Sequence, residues 1–168
     1  MDKINLKIND QNVEVNKGQS ILDAARKLGV DIPTFCYDER LKGDGACRMC
    51  VVEVKGTSKL SASCAVPAEN NMEVLTHSKK VIEARKEVLE LTWASHPNEC
   101  VVCDVNGDCK LQDYMYEYDI DAEPVYDGHK REFPIDYSNK FFYIDPEKCI
   151  LCGKCVRVCD ELQGYEAL

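Results

Sequence analysis

The eleven cysteines of this 168-residue chain constrain its fold more than any other feature. They fall into three groups: Cys36, Cys47, Cys50 and Cys64; Cys100, Cys103 and Cys109; and Cys149, Cys152, Cys155 and Cys159. The first ten residues, MDKINLKIND, contain no apolar stretch of the kind that directs secretion. We therefore expect a reducing, cytoplasmic environment, where grouped cysteines bind metal rather than pair as disulfides. The odd number of cysteines also argues against complete pairing.

The chain is acidic, with 30 aspartate and glutamate residues against 21 lysine and arginine residues and a formal net charge of −9. A nucleic-acid partner is disfavoured, because proteins that bind phosphate backbones usually present a basic face. An acidic surface suits a protein partner with a basic patch, and it also occurs simply as a solvated surface. No stretch approaches the ~18 apolar residues of a membrane span. The composition therefore predicts neither a nucleic-acid partner nor a membrane span.

Local patterns predict a small mixed sheet at the start of the chain. Apolar and polar residues alternate at 4–8 and 13–15 around the turn sequence NDQN, which predicts a β-hairpin. A helical stripe follows over residues 21–28, with Ser20 as its N-cap and Asp23 three positions later, close to a capping box. A hairpin, one helix and further strands are compatible with a β-grasp fold.

Further strands are predicted at 51–54 and 72–75, and a short one at 141–144, FFYI. Ser78 is the predicted N-cap of a second helix over residues 79–95. One stripe of that helix recurs at three-and-four spacing and is predicted to face a core; it consists of Val81, Ile82, Arg85, Val88, Leu89 and Thr92.

The first cysteine group has the spacing C-x10-C-x2-C-x13-C. A [2Fe–2S] cluster needs such a mixture of near and distant thiolates, as the plant-type C-x4-C-x2-C…C spacing illustrates. Gly43 and Gly45 permit unusual backbone angles and close approach of backbone N–H groups to cluster sulfurs. A metal centre would hold this polar loop in one shape and couple binding to folding. A tetrahedral zinc site and unligated buried thiols remain alternatives.

The second group adds a histidine, His96, to give H-x3-C-x2-C-x5-C with Cys100, Cys103 and Cys109. A histidine at a helix end is usually not a ligand, but this one precedes three cysteines that lack a fourth thiol. Imidazole ligates Fe–S centres in Rieske sites. We therefore predict a [4Fe–4S] cluster with His/Cys3 ligation, and a Cys3His zinc site is the main competitor. A neutral imidazole makes a cluster less negative, which raises its reduction potential, all else being equal.

The third group, C-x2-C-x2-C-x3-C, matches the bacterial ferredoxin run and predicts a further [4Fe–4S] cluster. Asp160 stands where that run has proline. The fourth cysteine of such a run ligates the other cluster in two-cluster ferredoxins, and no second run follows here. Three sources of the last ligand stay open: Cys159 itself, a partner chain, or residues beyond Leu168.

The order of these motifs resembles the N-terminal electron-transfer region of one wide family. Its members include the large iron–sulfur subunit of respiratory complex I, iron-only hydrogenases and NAD-linked formate dehydrogenases. The segments HPNECVVCDVNGDCKLQDY and DPEKCILCGKCVRVCDELQG are most similar to the hydrogenase and formate dehydrogenase members. The resemblance covers nearly the whole chain.

The resemblance implies an α+β chain in four parts. These are a β-grasp [2Fe–2S] ferredoxin-like domain at 1–77, a helical His/Cys3 [4Fe–4S] domain at 78–120, a connector at 121–140, and a partial, bacterial-ferredoxin-like [4Fe–4S] segment at 141–168. It assigns the first cysteine group to [2Fe–2S], the His96 group to the distal [4Fe–4S], and Cys149, Cys152 and Cys155 to the next [4Fe–4S].

The predicted function is an iron–sulfur electron-transfer subunit of a multisubunit cytoplasmic oxidoreductase. It would relay electrons between a flavin-containing NAD(H) subunit and another redox module, with ferredoxin or an NADP-, hydrogen- or formate-handling subunit as further partners. The alternative is an N-terminal electron-transfer fragment of an iron-only hydrogenase or formate dehydrogenase catalytic subunit, and a third is a zinc-binding structural module. No nucleotide-binding or hydrolase motif occurs, so no catalytic centre is predicted within this chain.

Overall fold

A five-stranded sheet forms the first part of the chain. The computed structural model describes residues 2–167. Its strands are β1 (Lys3–Ile8), β2 (Gln11–Asn16), β3 (Val51–Val54), β4 (Leu60–Ala62) and β5 (Glu73–Leu75). They lie in the order β2-β1-β5-β3-β4. Strands β1 and β5 pair in parallel, and the other neighbours are antiparallel.

The predicted hairpin is confirmed as β1 and β2, which pair from Lys3 and Asn16 to Ile8 and Gln11. Asn9 and Asp10 join the strands with φ angles of 47° and 66°. Positive φ at both central residues is typical of a type I′ turn, whose twist matches that of the flanking strands. The predicted strands at 51–54 and 72–75 are also present, the latter beginning at Glu73. Strand β4 was not predicted.

Helix α1 (Ile21–Lys27) lies against this sheet and begins at the predicted cap. The Ser20 hydroxyl accepts from the Asp23 amide at 3.1 Å, and the Asp23 carboxylate accepts from the Ser20 amide at 2.8 Å, so both halves of a capping box are present. The buried side chains of Ile21 and Leu22 join the sheet's apolar residues in one hydrophobic core. The face of α1 that the apolar spacing predicted is therefore the face that packs.

Helix α2 (Lys79–Ala94) is the long helix predicted after Ser78, whose hydroxyl accepts from the Val81 amide at 3.3 Å. Three short helical elements follow. They are a 3₁₀ turn at Cys100–Val102, α3 (Lys110–Glu117), and α4 (Lys154–Arg157), which continues into a π-helical turn at Val158–Leu162.

The short strand predicted at 141–144 is wrong. Only Ile144 takes part in a bridge, with Asp136, and Phe141 and Phe142 lie outside any strand with their side chains exposed. The apolar run therefore reflects surface aromatic residues and not a paired strand.

Contacts divide the chain into two compact units. One extends to Arg85 and resumes at Gly153, and the other is Lys86–Cys152. Within residues 2–167, no helix combines the length and apolar character needed to cross a membrane.

Candidate metal centres

The sheet brings the distant members of the first cysteine group together. Cys50 directly precedes β3 and Cys64 follows β4, and these antiparallel strands pair Val51 with Ala62. The two sulfur atoms lie 3.4 Å apart. Ser63 secures this end of the hairpin, because its hydroxyl and its amide both donate to the Cys50 carbonyl, at 2.8 Å and 3.1 Å.

Cys36 and Cys47 complete the group from the long loop before β3. The Cys36 amide donates to the Cys47 sulfur at 3.4 Å. Cys36 and Cys50 are each only 1% exposed and Cys64 is 5% exposed, while Cys47 is partly buried. The structure therefore gathers all four predicted residues in one largely buried loop region.

Two glycines let this loop approach Cys64. A Cβ on Gly43 would lie 1.9 Å from the Cys64 carbonyl oxygen, a distance that no side chain tolerates. A Cβ on Gly45 would lie 2.9 Å from the Ala62 Cβ, and the φ angle of Gly45 is +69°, which favours glycine. Both glycines therefore allow close packing of the loop against Cys64 and Ala62, while the predicted approach of backbone N–H groups to cluster sulfurs stays a prediction.

The four thiols shift one another's pKa values. The pKa of Cys36 is lowered by hydrogen bonds with the Cys47 and Cys64 thiols, and the pKa of Cys50 is lowered to about 6 by its hydrogen bond with Cys64. The pKa values of Cys47 and Cys64 are raised in turn, first by hydrogen bonds with Cys36 and then by further contacts and burial. A cationic centre would replace the shared protons, because metal binding requires deprotonated thiols. The donor set therefore fits a thiolate-bound metal cluster.

Two charged residues beside this site were not predicted to be part of it. The Cys36 thiol donates to the Asp44 carboxylate at 3.4 Å. Arg85 is fully buried and donates to the Val51 carbonyl at 2.8 Å, next to Cys50. Arg85 belongs to the stripe on α2 that predicted a buried face, so its burial was readable from periodicity, but its hydrogen bond was not. No sequence signal identified the contact of Asp44.

The second group lines one cavity of about 190 Å³. His96, Cys100, Cys103 and Cys109 all contribute to its wall, together with apolar side chains that include Trp93 and Leu111. The cysteines come from the 3₁₀ turn, the residue after it and the N-cap of α3. The structure therefore brings these four predicted ligands to one cavity.

His96 is oriented by its neighbours. Its ring stacks on Trp93 with centroids 5.9 Å apart and an interplanar angle of 17°. Nδ1 lies 2.8 Å from the Pro97 carbonyl oxygen, and Nε2 lies 3.2 Å from the Lys148 carbonyl oxygen. A neutral imidazole donates from only one nitrogen, so only one of these two contacts is a hydrogen bond in that form.

Cys103 and Cys109 also affect the third thiol of this site, Cys100. The pKa of Cys100 is raised by burial and by the negative charges of Cys103 and Cys109. Mutual repulsion of this kind is relieved by a bound cation, so this donor set also fits a metal cluster.

The third group is divided between the two units. Cys149 and Cys152 belong to the unit that ends at Cys152, and the Leu151 amide donates to the Cys149 sulfur at 3.4 Å. Cys155 and Cys159 belong to the other unit, where the Cys159 thiol donates to the Tyr165 carbonyl at 2.7 Å.

Across residues 2–167, no three histidine, cysteine, aspartate or glutamate side chains form a group suited to a single metal ion. The thiolates of an iron–sulfur cluster bind different irons, so they need not meet at one point.

Three protein-family models match successive parts of the chain. A 2Fe-2S iron-sulfur cluster binding domain matches residues 1–79, and the NADH-ubiquinone oxidoreductase-G iron-sulfur binding region matches residues 85–124. A 4Fe-4S binding domain matches residues 141–165. Together with the two gathered cysteine sites, they define an iron–sulfur protein.

Individual relatives match almost the whole chain. A G-type NADH-quinone oxidoreductase subunit from Rhizobium meliloti (strain 1021) is 38% identical over 98% of this chain and 20% of the relative. The NADP-reducing hydrogenase subunit HndD of Solidesulfovibrio fructosivorans is 39% identical over 97% of this chain and 28% of the relative. The first three curated relatives are each covered over about a fifth to a quarter of their length.

A solved structure extends this similarity to the fold. A chain in the crystal structure of an NAD+-reducing [NiFe]-hydrogenase in the H2-reduced state is 34% identical, with a TM-score of 0.90. The match covers 98% of this chain and 69% of that chain. The protein described here belongs to the iron–sulfur family that includes the G-type subunits of NADH-quinone oxidoreductases and the corresponding subunits of NAD(P)-reducing hydrogenases.

Proposed function

We propose that this chain relays electrons between a flavin-containing subunit that handles NAD(H) and another redox module of a larger oxidoreductase. The observation that carries the proposal is the gathering of two ligand sets, the buried thiols around Cys36 and the cavity around His96, in the motif order of the family. Relatives named as NADH-quinone oxidoreductase and NADP-reducing hydrogenase subunits support it.

Each ligand set is assigned to one cluster. The ligands of a [2Fe–2S] cluster are Cys36, Cys47, Cys50 and Cys64, and the ligands of a [4Fe–4S] cluster are His96, Cys100, Cys103 and Cys109. Cys149, Cys152 and Cys155 bind a further [4Fe–4S] cluster, with Cys159, a partner chain or later residues as the source of the last ligand. Such clusters supply one-electron acceptor sites without bonding a substrate. The chain's own residues hold these sites, bury them and set the charge around them.

The N-terminal domain, residues 1–77, is proposed to be a β-grasp domain of the ferredoxin type. Its five-stranded mixed sheet and its capped helix α1 support that assignment. The helical segment 78–120, the connector 121–140 and the partial ferredoxin-like segment 141–168 complete the proposed division.

His96 is proposed to bind its cluster through Nε2. Two contacts support this choice: Trp93 stacks on the ring, and Nδ1 lies 2.8 Å from the Pro97 carbonyl oxygen. A metal-bound histidine commonly donates its other N–H to a backbone carbonyl, which fixes the tautomer. Nε2 would then exchange its contact with the Lys148 carbonyl for iron.

The proposed partners follow from charge and from the relatives. A net charge of −9 favours a partner that presents a basic face around its own redox centre. A flavin subunit acting on NAD(H) is the first such partner, and ferredoxin or an NADP-, hydrogen- or formate-handling subunit is the second.

The second candidate is an N-terminal electron-transfer fragment of a longer catalytic subunit. The coverage of only 28% of the NADP-reducing hydrogenase subunit favours it. The mass of the native protein decides between the two. A mass near 19.0 kDa supports a small subunit, and a much larger one supports the fragment.

Metal analysis of the anaerobically purified chain tests the proposal. About ten irons with matching sulfide, and the electron paramagnetic resonance (EPR) signals of a [2Fe–2S] centre and of [4Fe–4S] centres after dithionite reduction, are expected for three clusters. About six irons would leave the C-terminal run without its cluster. Stoichiometric zinc without sulfide would overturn the proposal.

A further inference from the structure

We propose that Arg157 is a positioning residue that holds helix α4 against the first cysteine loop, residues 36–50, and offsets the charge of Asp44 beside Cys36. The proposal rests on the electron-transfer function proposed above. It concerns residues of one compact unit only, since Asp44 and Arg157 both belong to the unit that resumes at Gly153.

The guanidinium of Arg157 meets three acceptors at once. It lies 3.4 Å from Asp44 Oδ2 and 2.8 Å from Glu161 Oε1, and it donates to the Lys42 carbonyl. Its side chain is only 18% exposed. Arginine presents several donors in a rigid planar fork, so it can hold such separated acceptors, whereas lysine is a single point charge. Residues 42 and 44 belong to the first cysteine loop, so Arg157 fastens that loop to α4.

Asp44 contacts both Arg157 and Cys36, so it links Arg157 to the first cysteine group. Its Oδ1 accepts from the Cys36 thiol at 3.4 Å and from the Ala46 amide at 3.2 Å, while its Oδ2 faces Arg157. The contact with Cys36 is favourable while the sulfur carries a proton. Once Cys36 binds iron as a thiolate, a carboxylate at this distance repels it. The Arg157 guanidinium then compensates the carboxylate from its other side.

This arrangement predicts an effect on the reduction potential. Reduction of a [2Fe–2S] centre adds one electron from the external reductant and no bond is formed or broken, so the reduced state carries one more negative charge. Removing a nearby positive charge makes that state less favourable and lowers the potential. Removing a nearby negative charge raises it.

The experiment measures the midpoint potential of the [2Fe–2S] EPR signal in the anaerobic holoprotein. R157Q removes the charge and the fork, R157K keeps the charge, and D44N removes the carboxylate. K154Q removes one positive charge from the same helix, at a residue whose charge acts on the carboxylate of Asp38 and not on that of Asp44, and is the matched control. Amide hydrogen exchange of residues 153–162 reports separately on the fastening of the helix.

We expect R157Q to lower the [2Fe–2S] potential by more than K154Q does, and D44N to raise that potential. We expect R157K to keep a potential near the wild-type value, while the amide hydrogens of residues 153–162 exchange faster than in the wild type. An equal shift in R157Q and K154Q would overturn the electrostatic role, as would a shift in R157K as large as that in R157Q. Unchanged exchange in both Arg157 variants would overturn the fastening. The wild-type protein separates the two proposals, because a missing [2Fe–2S] signal there defeats the proposed function itself.

Discussion

Cys36 and Cys50 are almost fully buried beside the sheet. In the loop that carries Cys100 and Cys103, by contrast, the Val101 side chain is 90% exposed. The first site is built by strand pairing and by close backbone contact at Gly43. The second is a cavity between a 3₁₀ turn and the N-terminus of a short helix. The first site is therefore shaped largely by the packing of the protein, and we expect the shape of the second to depend more on a bound cluster.

The difference has a physical cause. A sheet with a shared hydrophobic core supplies the free energy that orders the loop around Cys50 and Cys64. Residues 98–109 contain no buried side chain, although Leu111 and Met115 on α3 are buried. Where few apolar contacts exist, metal binding supplies a larger share of the folding free energy.

The largest effect is expected from removing one ligand in each region. C64S should abolish the [2Fe–2S] EPR signal and leave the signal of the His96 site, because the two ligand sets share no residue. C103S should abolish the cluster at the His96 site and leave the [2Fe–2S] signal. Iron analysis and EPR of each variant provide the measurement. Loss of both signals in either variant would contradict two separate sites.

A second test breaks the packing of the first site without touching a ligand. G43A would place a methyl group 1.9 Å from the Cys64 carbonyl oxygen, so we expect a loss of more than about 3 kcal/mol of unfolding free energy or failure to fold. Urea denaturation followed by circular dichroism measures it. G18A is the control, since Gly18 has a φ angle of +94° but no atom near its Cβ position, and it should cost about 1–2 kcal/mol. Equal costs would show that the backbone approach at Gly43 does not shape the site.

Substitution of one valine in each region compares how much packing there contributes to the unfolding free energy. V52A removes buried methyl groups from the interior strand β3 and should cost about 2 kcal/mol of unfolding free energy. V101A changes an exposed side chain beside Cys100 and should stay within about 0.5 kcal/mol of the wild-type value. The same denaturation measurement applies to both. A large cost for V101A would mean that its loop is packed in the folded protein and would weaken the comparison.

The smallest expected change concerns the potential of the second site. H96C replaces a neutral imidazole with a thiolate, so the cluster there becomes more negative and its midpoint potential should fall, while the [2Fe–2S] potential stays unchanged. Potentiometric EPR titration measures both in one sample. A fall confined to the second site supports ligation by His96. No change would indicate that His96 is not a ligand.

The hairpin, helices α1 and α2 and their caps were predictable, because each follows from short-range patterns. Ser20 and Asp23 form a capping box within four residues, and the apolar stripe of α2 has helical spacing. The cysteine groups were predictable for the same reason, since metal-ligand spacing is partly a local property.

Other features depend on contacts across the fold. Strand β4 has only three residues, too few for a period to appear, and it exists because Ser61 pairs with Val52. The strand predicted at 141–144 failed because apolar composition without a pairing partner does not make a strand. The contacts of Asp44 with Cys36 and Arg157 join residues 8 and 113 positions apart, which no local pattern encodes.

The electron-relay function is tested most directly by an anaerobic redox titration of the purified wild-type chain that counts the electrons taken up and assigns them by EPR. An electron relay with three clusters should take up about three electrons per chain, one for each cluster, with the [2Fe–2S] signal among those that appear on reduction. A chain that contains zinc, takes up no electrons and develops no signal would contradict the proposal that it is an electron relay.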